Sequence, residues 1–104
     1  MSFVVELSPT AEADLEHLLD FLLDRCESTE DLDRAQAAID AIRAAAQHRL
    51  AMTPFSFRKA AQNPAQRELI IAFAGTGYVA LHEIVSPSKV VVLAVRYQRE
   101  EDYQ

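Results

Sequence analysis

The residues best suited to chemistry lie in the second half of the chain: Arg58, Lys59, Arg67, His82, Arg96, Tyr97, Arg99, Glu100 and Tyr103. Arginine offers a planar fork of donors to phosphate or carboxylate, and histidine or tyrosine can move a proton at a ribose hydroxyl. Arg67 opens one predicted strand, His82 lies within the next, and Arg96 closes the last. In an antiparallel meander, such positions can converge on one side or end of a sheet. The same set also reads as an ordinary mixed surface, because charge runs generally face water.

Other familiar chemistries are absent. There is no Gly-rich phosphate loop, no His-Glu-x-x-His, no Gly-x-Ser-x-Gly and no calcium loop. His17, His48 and His82 are far apart in sequence and do not form a metal set. Cys26 is the single cysteine, so an internal disulfide and a cysteine-based zinc site are excluded. That usage fits a reducing cytoplasm, and Cys26 reads as a filler at a helix end before it reads as a nucleophile. No cofactor is expected.

The elements that must position these residues follow from pattern. Val90 to Val95 is an apolar run too short for an ordinary helix and rich in β-branched residues. It predicts a strand buried on both faces at the centre of a sheet, with Arg96 and Tyr97 at its end. Phe3 to Leu7 predicts a short first strand. Ser8 and Pro9 then open a helix, Glu12 and Asp14 complement its positive end, and its stripe is Leu15, Leu18, Leu19, Leu22 and Cys26, widened by Phe21 and Leu23. Ser28 and Asp31 resemble a capping box before a second helix with Leu32, Ala35, Ile39, Ile42, Ala46 and Leu50 on one face. The two helices read as an antiparallel hairpin that ends at Pro54. Phe55 to Pro64 has no clear period and reads as a loop that tucks Phe55 or Phe57 under the core and exposes Arg58 and Lys59. Arg67 to Phe73 and Tyr78 to Val85 are strands joined by a tight Gly75-Thr76-Gly77 connection. The order β-α-α-β-β-β predicts an α+β fold, a helix hairpin on one face of a small, mainly antiparallel four-stranded sheet.

Length and composition set bounds. The 104 residues suit one domain, 1–104, with a modest core, and half of them are apolar. No apolar run approaches the ~18 residues of a membrane helix, and no secretory signal is evident. The net charge is −6. Residues 1–50 carry 4 basic and 11 acidic side chains, whereas residues 51–104 carry 6 basic and 5 acidic. General nucleic-acid binding through a basic surface is therefore disfavoured, although a local cluster in the second half is allowed.

Three stretches carry a family resemblance: Val5-Glu-Leu-Ser-Pro-Thr-Ala-Glu-Ala-Asp-Leu15, Arg67-Glu-Leu-Ile-Ile with Gly77-Tyr78-Val79, and Val92-Leu-Ala-Val-Arg-Tyr-Gln-Arg-Glu-Glu-Asp-Tyr103. In this order they resemble the RelE/ParE toxins, also called plasmid stabilisation proteins. The resemblance implies the same β-α-α-β-β-β fold and a toxin neutralised by a cognate antitoxin protein. RelE-like members cut messenger RNA in the ribosome, and ParE-like members poison DNA gyrase without nuclease chemistry. The ending from Arg96 to Glu100 resembles the ParE side, which usually has His where this chain has Tyr97. Arg67 matches an arginine position that RelE-like nucleases use, and Arg96 and Tyr103 match less closely. In that alternative Arg67, His82, Arg96 and Tyr103 are the catalytic set, with arginines stabilising phosphate charge and His82 or a tyrosine shuttling protons. Ribosome-directed members are usually basic, and this chain is acidic. A gyrase-directed inhibitor is thus the first expectation, and a non-toxic interaction module on the same fold is a third. Partner contacts are expected at Arg58, Lys59, Arg67, Arg96, Tyr97, Arg99, Glu100 and Tyr103.

Overall fold

Two serines set the helix starts. In the computed structural model, which describes residues 2–56, 58–60, 63–73 and 75–97 (the backbone alone at Ser56, Arg58 and Ala60), Ser8 Oγ accepts from the Ala11 amide at 3.0 Å. Ser28 Oγ accepts from the Asp31 amide at 3.1 Å, and the Asp31 carboxylate accepts from the Glu27 amide at 3.0 Å. Each cap satisfies amides that the first turn leaves unpaired. They open α1 (Pro9–Leu23) and α2 (Thr29–Met52). Leu15, Leu18, Ala35, Ile39, Ile42, Ala46 and Leu50 are buried as their spacing predicts. Leu32, Phe21 and Leu23, near the turn of the hairpin, are exposed instead, although Phe21 keeps ring contacts with Tyr97 and the Arg25 guanidinium. Glu12 and Arg43 clamp α1 to α2 by a two-pronged pair, with N–O distances of 2.6 and 3.4 Å. That hydrogen bond holds the Glu12 carboxyl below its ordinary range.

Five strands form one sheet: β1 (Val4–Leu7), β2 (Arg58–Ala60), β3 (Asn63–Phe73), β4 (Thr76–Ser86) and β5 (Lys89–Tyr97), in the order β1-β5-β4-β3-β2. β1 runs parallel to β5, and every other pair is antiparallel. The helix hairpin covers one face, and its stripes join Leu69, Ile71, Ala80, Val90, Val92 and Val95 in a common core. The α+β architecture is the expected one, with β1 beside a later strand.

Three local expectations need correction. The segment after Pro54 is not a plain loop: it makes a 3-10 turn over Pro54–Ser56 and then β2, paired with β3. A strand this short has no side-chain period of its own; the backbone groups of β3 call it into being. Phe55 is not tucked under the core but 57% exposed, and it is Pro54 that is buried; Phe57 lies outside the described residues. β5 is not buried on both faces, because the hairpin covers only one; Val91, Leu93 and Ala94 are half-buried. Of the two glycines joining β3 and β4, Gly75 has a positive φ, of 80°, and Gly77 is already in β4 opposite Ala72. No helix among the described residues is long and apolar enough to cross a membrane.

Candidate functional site

A bulge in β5 decides which charged side chains can meet. His82 faces Val92 and Leu81 faces Ala94, so Leu93 has no partner on β4. Opposed residues share a face and successive residues alternate, so one inserted residue transfers everything after it to the other face. Val90 and Val92 point to the helices, and after the bulge it is Val95 and Tyr97 that do so. Without the bulge Arg96 would share the face of Val90 and Val92. With it, Arg96 stands opposite Val79 on the face away from the helices, in a shallow dip with Glu68, Leu81 and Ala94.

Arg67 stands on the other face. It pairs with His82 across β3 and β4. Its Nε donates to the Pro64 carbonyl at 3.1 Å and its Nη1 to the Phe55 carbonyl at 3.3 Å, with the guanidinium 5.9 Å from the Phe55 ring centre. Lys59 faces Arg67 in register and is exposed; Arg58 is opposite Glu68 by backbone register. His82 is fully buried. Its ring nitrogens lie 3.4 Å from the Ala80 carbonyl and 3.3 Å from that of Pro54. Burial pushes its pKa below the ordinary histidine value, the two carbonyls oppose that shift, and the charge of Arg67 adds to it. A neutral ring behind Pro54 is placed to hold the chain after α2 against the sheet, and proton transfer to a ligand would require that turn to open.

Tyr97 belongs to a third place. It packs on Tyr78 at 5.8 Å and on Phe21 of α1 at 6.1 Å between ring centres. Arg99, Glu100 and Tyr103 lie outside the described residues. The predicted set is therefore dispersed: Arg67, His82 and Lys59 near the end of α2, Arg96 on the open face, and Tyr97 against α1. Among the described residues, no His, Cys, Asp and Glu side chains group as a metal site.

Two residues that the sequence marked only as helix-start chemistry govern this layout. β1 ends opposite Val92, but β5 continues. There the Ser8 amide donates to the Val92 carbonyl at 2.9 Å, Ser8 Oγ donates to the Leu93 carbonyl at 3.1 Å, and the Asp14 carboxylate accepts from the Val95 amide at 2.9 Å. α1 thus takes the place of a strand along the bulge. An Asp one turn into a helix that follows a short strand is the only trace of this in the sequence.

The face away from the helices, around Arg96, is apolar at its centre, where Val79 is buried. Ile70, Leu81, Val91 and Ala94 are half-buried on or beside it, and Val85 is 45% exposed. Gln66 and Glu83 close one end through a 3.1 Å hydrogen bond. A carbon-rich strip with the Arg96 guanidinium and a polar rim is suited to a polypeptide partner.

Residues 5–102 match the model of a family described as the ParE toxin of the type II toxin–antitoxin system parDE. The toxin RelE3 of Caulobacter vibrioides is 36% identical over 96 residues, which cover 92% of this chain and 95% of that protein. Among solved structures, the chromosomal ParDE toxin–antitoxin system from P. aeruginosa superposes with a TM-score of 0.71 at 14% identity, covering 92% of this chain and 96% of that one. The toxin–antitoxin complex RelBE2 from Mycobacterium tuberculosis gives 0.62 at 19% identity, covering 93% and 99%.

Proposed function

Because this chain belongs to the ParE family of toxins from type II toxin–antitoxin systems, we propose that it acts by binding and inhibiting DNA gyrase and is held inactive by a cognate antitoxin. The observation that favours this over a nuclease is the dispersal of the basic and proton-transfer side chains. Arg67 and Arg96 lie on opposite faces of the sheet, and His82 is fully buried. Phosphate-ester cleavage needs such groups within hydrogen-bond reach of one reacting centre. A protein-binding inhibitor needs only a contiguous surface. The strip of Ile70, Leu81, Val91 and Ala94 supplies one, with Arg96 to meet an acidic residue of the antitoxin. Apolar contact would carry most of the affinity, and charge would set encounter rate and register.

The RelE name of the Caulobacter relative favours a second reading, ribosome-dependent cleavage of messenger RNA. Arg67 beside the exposed Phe55 ring and Lys59 is where a nucleotide would then sit. Expression of the chain without its antitoxin separates the two. Gyrase-dependent chromosomal breaks with intact ribosome-bound messenger RNA are expected. Cleavage of that messenger without DNA breaks would replace the first reading by the second.

A further inference from the structure

The far end of the hairpin holds a cleft that neither reading uses. It has a volume of about 290 Å³ and lies between the end of α1, the start of α2 and the β3–β4 turn. That is near the lower limit of small-molecule pockets, roughly 300–1,000 Å³. Leu22, Ala35, Ala38 and Phe73 form carbon walls. Tyr78 is 3% exposed and also lines the cleft. Its ring packs on Tyr97, and its hydroxyl has no hydrogen-bond partner among the described residues. Among the described residues no buried side-chain nitrogen or oxygen lacks a partner, so this hydroxyl meets solvent at the cleft and is open to an incoming acceptor.

The other polar groups of the cleft divide by prior commitment. The Asp31 carboxylate already accepts from the Glu27 amide. The Cys26 thiol donates to the Leu22 carbonyl at 3.2 Å. Arg25 lies 3.7 Å over the Phe21 ring and gives Nη1 to the Phe21 carbonyl, which leaves its other donors open. Arg34 is 66% exposed and stands 3.7 Å from Asp31, beyond good hydrogen-bond length. The Thr76 hydroxyl can serve either way. The donors open to a ligand are thus Tyr78 and Arg25, joined by Arg34, which is held only by its long ion pair to Asp31. Asp31 is the carboxylate in the lining among the described residues, and it is engaged by the Glu27 amide through one oxygen and by Arg34 through the other.

We propose that this cleft binds a small amphiphilic carboxylate, with its apolar body between Ala35, Ala38 and Phe73 and its carboxylate shared by the Tyr78 hydroxyl and the guanidinium groups of Arg25 and Arg34. A neutral or cationic molecule of the same shape would fill the walls but leave these donors unpaired. The acidic side chains elsewhere on the first half of the chain oppose an anion at long range, and salt screens them beyond about 8 Å. Selectivity therefore rests on short contacts inside the cleft.

The test uses the full chain, isotopically labelled, titrated with phenylacetate and in parallel with phenethyl alcohol and phenethylamine. Phenylacetate is expected to bind saturably, to shift the amide signals of Cys26, Ala35 and Thr76, and to bind at least about tenfold more tightly than the amine. Tyr78→Phe keeps the ring packing and should weaken phenylacetate by about tenfold. Arg34→Gln is on the surface and should weaken it severalfold without affecting folding. Equal responses to all three probes, shifts that map elsewhere, or undiminished affinity in both variants would overturn the proposal. So would a cleft that ignores phenylacetate and in which a bound antitoxin shields Cys26 from a thiol reagent, since the occupant would then be a polypeptide.

Discussion

Asp14 is placed to hold the part of β5 that carries Arg96 and Tyr97. Its carboxylate accepts from the Val95 amide at 2.9 Å, beyond the end of β1, and Val95 itself is 4% exposed. Asp14→Ala removes the acceptor and leaves a buried amide unpaired. Hydrogen bonds to a charged partner contribute about 1.5–3 kcal/mol, and an orphaned buried donor costs a similar amount. Loss of the carboxylate from the first part of α1 adds a few tenths of a kcal/mol. The expected destabilisation is about 2 kcal/mol, or roughly 10 °C in melting temperature for a chain of this size. Asp14→Asn keeps an acceptor oxygen in place and should cost less than half as much. Glu16→Ala, one of the exposed acidic positions on the same helix, should change stability by under about 0.5 kcal/mol. Urea unfolding of the three variants gives the comparison, and amide exchange at Val95 reports the bond itself. A loss below about 0.5 kcal/mol in Asp14→Ala, or an unaltered Val95 exchange rate, would refute the view that α1 replaces a strand beside the bulge.

The remaining expectations concern the core, pH and partners. Ile42 is 1% exposed, so Ile42→Asp buries an unpaired carboxylate; loss of the folded state, by about 3 kcal/mol or more, should appear in thermal unfolding. The folded chain keeps His82 neutral to a lower pH than the unfolded chain does. The unfolded chain therefore takes up more protons below about pH 6.5, and stability that is full above that value falls with acidification by at most about 1.4 kcal/mol per pH unit. The slope should flatten in His82→Gln and persist in His17→Gln, and unfolding measured between pH 7 and pH 5, as approximate limits, tests this. Arg96→Glu should slow association with the antitoxin and weaken its dependence on salt, with a smaller effect on dissociation, as read by stopped-flow at two ionic strengths. The pure chain should leave free RNA intact with or without divalent metal; cleavage that disappears in Arg67→Ala would favour the nuclease reading.

Features that depend on neighbours along the chain are legible in the residues. Ser8, Pro9, Ser28 and Asp31 start the helices because caps act within one turn. The stripe from Ala35 to Leu50 predicts the packed side of α2 because a helix repeats its face every three to four residues, and the short links predict the β3–β4–β5 meander. The resemblance in the first strand, the middle and the final strand was enough to suggest the family, which the match over residues 5–102 then established. Tertiary structure alone decided the arrangement of the site. Val90 to Val95 is apolar throughout, so its alternation gives no sign that Leu93 is the extra residue. That one residue moves Arg96 to the face opposite Arg67, because a strand has only two faces. His82 could be read as exposed or enclosed until Pro54, 28 positions earlier, was seen to close over it. Asp14 looked like a helix-dipole carboxylate until Val95, 81 positions away, arrived beside it. In each case the deciding contact joins elements distant in sequence, whose meeting is set by sheet register and helix packing and leaves no local pattern to read.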